Sequence, residues 1–167
     1  MTEHIDVMIE IPQGSRNKYE YDHVSGGIRL DRVLHSSVHY PTDYGFVPET
    51  LSKDGDPLDV LVVVYNPTFP GCRLPARPVG ILRMHDEKGE DEKILAVPVG
   101  DPRFEGIDDL QDLPAHWLLE IENFFATYKL LEEKDTDLLG WGGAEAAHEV
   151  IAEARRRYQS DGQKATG

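Results

Sequence analysis

The densest chemistry in the sequence lies in Asp54-Gly55-Asp56-Pro57-Leu58-Asp59-Val60, where three aspartates fall within six residues at the mouth of a strongly apolar run, 58–64. Gly55 and Pro57 favour a tight turn, so Asp54 and Asp56 can converge from one loop. Asp59 interrupts the apolar run. A carboxylate buried there without a partner would be costly, so something positive should face it. A plain Asp/Gly/Pro turn would leave all three carboxylates solvated. A calcium EF-hand needs Asp or Asn at its fifth position, glycine at its sixth and glutamate at its twelfth, and this chain has Leu58, Asp59 and Tyr65 there, which excludes it. A hard-cation site, for magnesium above all, uses carboxylate oxygens and keeps room for water and substrate phosphates. On this segment alone the solvated turn and the hard-cation site both stay open.

Two other segments mix acid with base. Asp86-Glu87-Lys88-Gly89-Glu90-Asp91-Glu92-Lys93 reads as a charged turn between apolar runs, and alone it would be a solvated hairpin. It gains interest because Asp91 and Lys93 stand two apart, on one strand face. In Lys18-Tyr19-Glu20-Tyr21, Lys18 and Glu20 share a face and the tyrosines take the other. That is either a surface ion pair or a phosphate-binding lysine beside a metal-binding glutamate.

The elements that must position these residues read as β first and α last. Short Val/Ile/Leu-rich strands are expected over 6–11, 18–21, 27–33, 58–64, 76–84 and 92–99. Turn signals such as Ser25-Gly26-Gly27, Asn66-Pro67, Pro70-Gly71 and Gly100-Asp101-Pro102 separate them. Evenly spaced short strands suggest a small barrel or sandwich. Pro114 opens a helical stretch, with Asp108, Asp109 and Asp112 near the positive end of its dipole. Trp117, Leu118, Ile121, Phe124, Phe125, Tyr128 and Leu131 recur at helical spacing as a core-facing stripe. A second helix over 144–158 would bury Ala147, Val150, Ile151 and Ala154, and residues 159–167 read as a disordered tail.

With 167 residues the chain fits one domain, 1–167. Lys plus Arg total 17 and Asp plus Glu 31, a net charge of 17 − 31 = −14. That balance argues against nucleic acid and against an anionic membrane surface. An acidic protein that handles an anionic substrate must gather positive charge locally, and metal cations do so directly. Cys72 is the only cysteine, which excludes an intrachain disulfide and a cysteine-based zinc site. No signal sequence and no apolar run of membrane-spanning length is visible, so a cytoplasmic location is expected by default.

Taken in order, Ile9-Glu10-Ile11-Pro12, Lys18-Tyr19-Glu20, Asp31-Arg32, Tyr44-Gly45, the aspartate string 54–60, Arg77-Pro78-Val79-Gly80, the acidic stretch 86–93 and Phe124-Phe125-Ala126-Thr127-Tyr128-Lys129 make the sequence resemble the soluble inorganic pyrophosphatases of family I, the single-domain bacterial and eukaryotic type. The resemblance spans Glu10 to Lys129. It implies an α+β, mainly β fold: an OB-like five-stranded barrel with the two helices of the last third packed against it. It also implies Mg2+-dependent hydrolysis of pyrophosphate to two phosphates, with Mn2+ or Zn2+ as substitutes. Asp54, Asp59 and Asp91 would hold one metal, with Asp59 reaching a second. Asp86 and Asp91 would contact a further metal arriving with substrate, and Glu20 another. Asp56 would be the general base, with Tyr44 close to the nucleophile. Lys18, Arg32, Lys93, Tyr128 and Lys129 would hold phosphates, with Glu10, Arg77 and Glu87 lining or backing the site. A homohexamer is implied, with a dimer as alternative. Leu130-Leu131-Glu132 departs from the Asp-Leu-Glu that often follows the Tyr-Lys pair, which bears on the exit of the first helix.

His23, His35 and His39 receive no role and are read as surface or structural. Two rival functions are a hydrolase of organic phosphoesters and a non-catalytic OB-type binding module. The absence of a P-loop string weighs against the first, and the acidic charge weighs against the second where its ligand is nucleic acid.

Overall fold

Apolar residues run without interruption along several strands because those strands are buried on both faces. Leu58, Val60 and Val62 point into a core shared with Ile5, Val7, Ile9, Ile94 and Ala96, while Leu61 and Val63 point into a second core with Leu82, Leu95 and Val97. The computed structural model describes residues 3–166, with side chains described for 3–161. Its strands are β1 (Ile5–Ile11), β2 (Asn17–Tyr21), β3 (Ile28–Val33), β4 (Asp43–Val47), β5 (Leu58–Val62), β6 (Arg73–Asp86), β7 (Gly89–Pro98) and β8 (Asp137–Gly143). The order β1-β4-β5-β7-β6 returns to β1, closing five strands into a ring of the OB-like kind expected. β8 adds to the outer edge of β6, and β2 and β3 form a separate hairpin.

β4 and β8 were not expected. All five residues of β4 are buried, so it lacks the alternation that marks a half-exposed strand. Gly45 is required there, since a Cβ would lie 1.9 Å from the Met8 carbonyl oxygen of β1. Asp43, fully buried, accepts from the Gln13 N–H at 2.8 Å and from the Thr68 N–H at 3.1 Å and hydroxyl at 2.5 Å, tying two loops to β4.

Helix α1 (Ala115–Thr127) starts after Pro114 and buries Ile121, Phe124 and Phe125 in the core that holds Leu82 and Leu95. It ends at Tyr128, and a short 3-10 turn (Leu130–Glu132) follows, so Leu131 falls off the expected stripe and is 66 % exposed. Asp109 and Asp112 cap another 3-10 turn (Leu110–Asp112) instead of α1, and Asp109 Oδ1 also accepts from the Ala144 N–H at 2.9 Å, capping the second helix. That helix, α2 (Ala144–Thr166), buries Ala147, Ile151 and Ala154 in the other core. It runs past Tyr158 into the stretch expected as a tail, and Gly167 lies outside the described residues.

Candidate active site

Asp59 and Lys93 are register partners in the parallel pair β5–β7, so both side chains leave the sheet on one face. Lys93 Nζ lies 3.0 Å from Asp59 Oδ2, 3.0 Å from Asp91 Oδ2 and 2.8 Å from the Tyr44 hydroxyl. Lys93 is only 2 % exposed. Its ammonium also stands 5.1 Å from the Tyr44 ring centroid and 5.2 Å from that of Phe125. Burial pulls the Lys93 pKa down, but Asp59, Tyr44, Asp91 and Tyr128 around it together more than reverse this, so it is a permanent cation. The positive partner that Asp59 demanded is therefore Lys93.

Around this centre lies an open cavity of about 220 Å³. The acidic turn contributes Asp54 and Asp56, and the β6–β7 hairpin contributes Asp86 and Asp91. β1 and β2 contribute Glu10, Lys18 and Glu20, and the end of α1 contributes Tyr128 and Lys129. Gly55, at φ +92°, makes the acidic turn, which the Asp56 N–H closes on Asp54 Oδ1 at 2.9 Å. With Tyr44, Asp59 and Lys93, every expected site residue except Arg32, Arg77 and Glu87 lines this one cavity.

Those three sit elsewhere. Arg77 is a structural group of β6. It donates to the Ile107 and Phe104 carbonyls, at 2.8 Å each, and pairs with Asp108 at 3.3 Å, so it fixes a loop and does not line the cavity. Arg32 turns toward Asp31 at 2.9 Å and Glu132 at 2.8 Å. Glu87 meets Lys129 at 3.3 Å and Lys134 at 3.7 Å. Tyr19, Tyr21, His23, Phe46, Pro57 and Lys88 also line the cavity, without having been expected there. The β2–β3 register shifts between Lys18 and Tyr19, which pair with Arg32 and Leu30, so the extra residue of this bulge is Asp31 on β3. The His23 ring packs against Tyr21 at 4.8 Å and Phe46 at 5.4 Å, between centroids. Nothing in its sequence neighbourhood signals this, because Phe46 comes from the unexpected strand β4.

The electrostatics follow from crowding. Burial raises the Glu10 carboxyl to about 7, even though Oε2 accepts the Tyr21 N–H at 2.8 Å. Burial also raises Asp54 and Asp91, in Asp91 against the pull of Lys93. Tyr128 is pushed up to about 12 and Tyr44 well above the ordinary phenol value, both chiefly by burial, so each stays a neutral hydroxyl.

The cation-binding potential lies in the donor set. Glu20, Asp54, Asp56, Asp59, Asp86 and Asp91 offer hard carboxylate oxygens, and no cysteine lines the cavity, a set that fits Mg2+ and not a thiophilic metal. Among the described residues no three such groups already converge on an ion-sized point. The acids ring the cavity, with Lys93 between two of them.

A family model described as inorganic pyrophosphatase matches residues 7–159. The chain is 56% identical to an inorganic pyrophosphatase of Methanosarcina mazei over 152 residues, covering 91% of this chain and 90% of that one. It is 54% identical to one of Halalkalibacterium halodurans over 155 residues, covering 93% and 95%. The crystal structure of inorganic pyrophosphatase from Thermus thermophilus superposes with a TM-score of 0.92 at 46% identity, covering 94% of this chain and 92% of that one.

Proposed function

The chain belongs to the inorganic pyrophosphatase family, and from that premise we propose that its cavity hydrolyses pyrophosphate to two phosphates with Mg2+ as the working cation. The observation that carries the reading is one cavity that gathers seven carboxyl side chains together with Lys18, Lys93, Lys129, Tyr44 and Tyr128. A small tetra-anion needs cations to neutralise it and fixed donors to orient it, and this lining has groups for both tasks.

Asp54, Asp59 and Asp91 would hold one Mg2+ and Asp59 would reach a second, while Asp86 and Glu20 would serve further ions. Mn2+ or Zn2+ are the expected substitutes. Bound there, the cations would supply charge neutralisation on pyrophosphate and acidify a neighbouring water. The rest falls to the chain's own residues. Asp56, on the exposed acidic turn, takes the proton of the attacking water as general base. Tyr44, a neutral phenol that already accepts from Lys93, is oriented to hold that water. Lys18, Lys93 and Lys129 act as fixed charges on the phosphates, and Tyr128 donates through its hydroxyl. Arg32 joins them when a phosphate oxygen replaces Asp31 as its anion, its guanidinium offering a planar fork.

Phosphate release from pyrophosphate, measured with Mg2+ and with excess chelator, tests this directly. Magnesium-dependent release that Asp56→Asn loses supports the reaction and the base. Folded protein that releases no phosphate with metal present would leave a cation- or phosphate-binding module in its place. We read the assembly as a homohexamer, with a dimer as the alternative, and sedimentation separates the two. The cytoplasmic location is likewise part of the proposal, and among the described residues no helix is long and apolar enough to cross a membrane.

A further inference from the structure

Among the described residues helix α2 contributes no side chain to the catalytic cavity, yet it holds the loop that carries two of its carboxylates. Both backbone groups of Leu51 end on this helix. The Leu51 N–H donates to the Ala154 carbonyl at 3.0 Å, and the Leu51 carbonyl accepts from Arg157 Nη1 at 2.7 Å. Beyond Leu51 the turn closes on itself. The Ser52 N–H donates to the Asp56 carbonyl at 2.7 Å, and the Gly55 N–H to the Ser52 carbonyl at 3.1 Å. The Leu58 N–H donates to Thr50 Oγ1 at 3.0 Å. The acidic turn is thus a small hydrogen-bonded unit set against α2 at Leu51.

The geometry points to Arg157 as a positioning residue for the cation site: by fixing the Leu51 carbonyl it sets where Asp54 and Asp56 stand. This rests on the reading of the cavity given under Proposed function. The contact suits the task. A guanidinium donor to a backbone carbonyl is charge-assisted, and α2 continues through Thr166, so Arg157 stands on a helical frame and not at its frayed end. A cavity of about 20 Å³ separates the turn from α2, walled by Asp54, Asp91, Glu153, Ala154 and Arg157. Asp54 and Asp91 therefore wall both the catalytic cavity and this smaller one against the helix. Groups that orient ligating side chains change metal affinity on the order of 10- to 100-fold when removed.

The test compares the full-length wild type with Arg157→Met, which keeps the stem and drops the donors, and Arg157→Lys, which keeps one. Mg2+ is titrated by calorimetry without substrate, and kcat is measured at saturating Mg2+. Arg157→Met is expected to bind Mg2+ on the order of 10-fold more weakly, with Arg157→Lys between it and wild type, and kcat at saturating Mg2+ is expected to fall as well, because the same turn carries Asp56. A purely structural role would lower the metal-free melting temperature and leave Mg2+ affinity alone. Mg2+ affinity of Arg157→Met within about twofold of wild type would overturn the inference. Should that variant not fold, Arg157→Lys carries the same criterion. Wild-type protein that takes up no Mg2+ would instead overturn the cation site itself, and this inference with it.

Discussion

Lys93 stands opposite Asp59 across a parallel strand pair, Nζ to Oδ2 3.0 Å, and the same ammonium reaches Asp91 at an equal 3.0 Å. One buried cation thus holds two carboxylates that a metal would otherwise have to neutralise. Removing one partner of a buried ionic group leaves the rest uncompensated, at a cost of about 3–5 kcal/mol. Lys93→Met is therefore expected to lower metal-free stability by about that amount in denaturant unfolding. It should also enlarge the stabilisation that Mg2+ gives. Unchanged stability without metal would mean that the pair contributes no net energy.

Asp56→Asn should lower kcat by roughly 10²–10⁴, the usual contribution of a general base. Asp56 is exposed on its turn, and its backbone N–H bond to Asp54 survives the change. The melting temperature should therefore stay at the wild-type value, which separates chemistry from folding. Activity within a few-fold of wild type would move the base elsewhere.

Lys129→Ala should raise KM for pyrophosphate and leave kcat nearly intact. Lys129 lines the cavity, 3.3 Å from Glu87 and 3.7 Å from Asp86, so its charge is available to a phosphate bound there. Steady-state kinetics at fixed free Mg2+ checks this. A loss confined to kcat would contradict a binding role.

Much of this site is readable from residue types alone, for a physical reason. A carboxylate inside an apolar strand, Asp59, needs a cation, and the only short route is a neighbouring strand at the same height. Lys93 beside Asp91 on a two-residue period meets that need. What the pattern hides is structure made by close approach. β4 carries Asp43, Tyr44 and Gly45, a poor strand by composition, and exists because Gly45 lets β1 come near and because loop partners satisfy Asp43. β8 carries Gly140, Gly142 and Gly143 and resembles a loop. A Cβ at Gly142 would sit 2.9 Å from the Ile81 Cγ2, and one at Gly143 2.8 Å from Asp109 Oδ1, so packing selects glycine there. Arg77 shows the opposite limit: a motif names the arginine, but only the fold shows that it serves the Phe104 and Ile107 carbonyls.

Glu10 gives a pH signature. Burial raises its carboxyl from 4.5 to about 7, so between those values the folded protein keeps a proton that the unfolded chain has lost. The stability this group contributes is complete below about 4.5 and lost as pH rises through about 7. Asp54 and Asp91, also raised by burial, add in the same direction. Metal-free wild type should therefore lose melting temperature across that window more steeply than Glu10→Gln. Calorimetry on both proteins over the window decides it, and parallel profiles would rule out Glu10 as the source.

The same raised carboxyls determine what happens when Mg2+ arrives. A hard cation binds carboxylates only in their ionised form, so each proton held by the crowded set must leave. Glu10, at about 7, makes that release detectable near neutral pH, and the raised Asp54 and Asp91 add in the same direction. Titration of Mg2+ in two buffers of different ionisation enthalpy should show net proton release, larger at about pH 6 than at about pH 8. Binding to the folded state alone should also stabilise it, by about 2.7 kcal/mol at a hundredfold excess over Kd. For a chain of this size that corresponds to a melting temperature higher by about 5–10 °C. Equal melting temperatures in Mg2+ and in chelator, with no protons released, would mean that these carboxylates do not form a cation site, whatever the protein does to pyrophosphate.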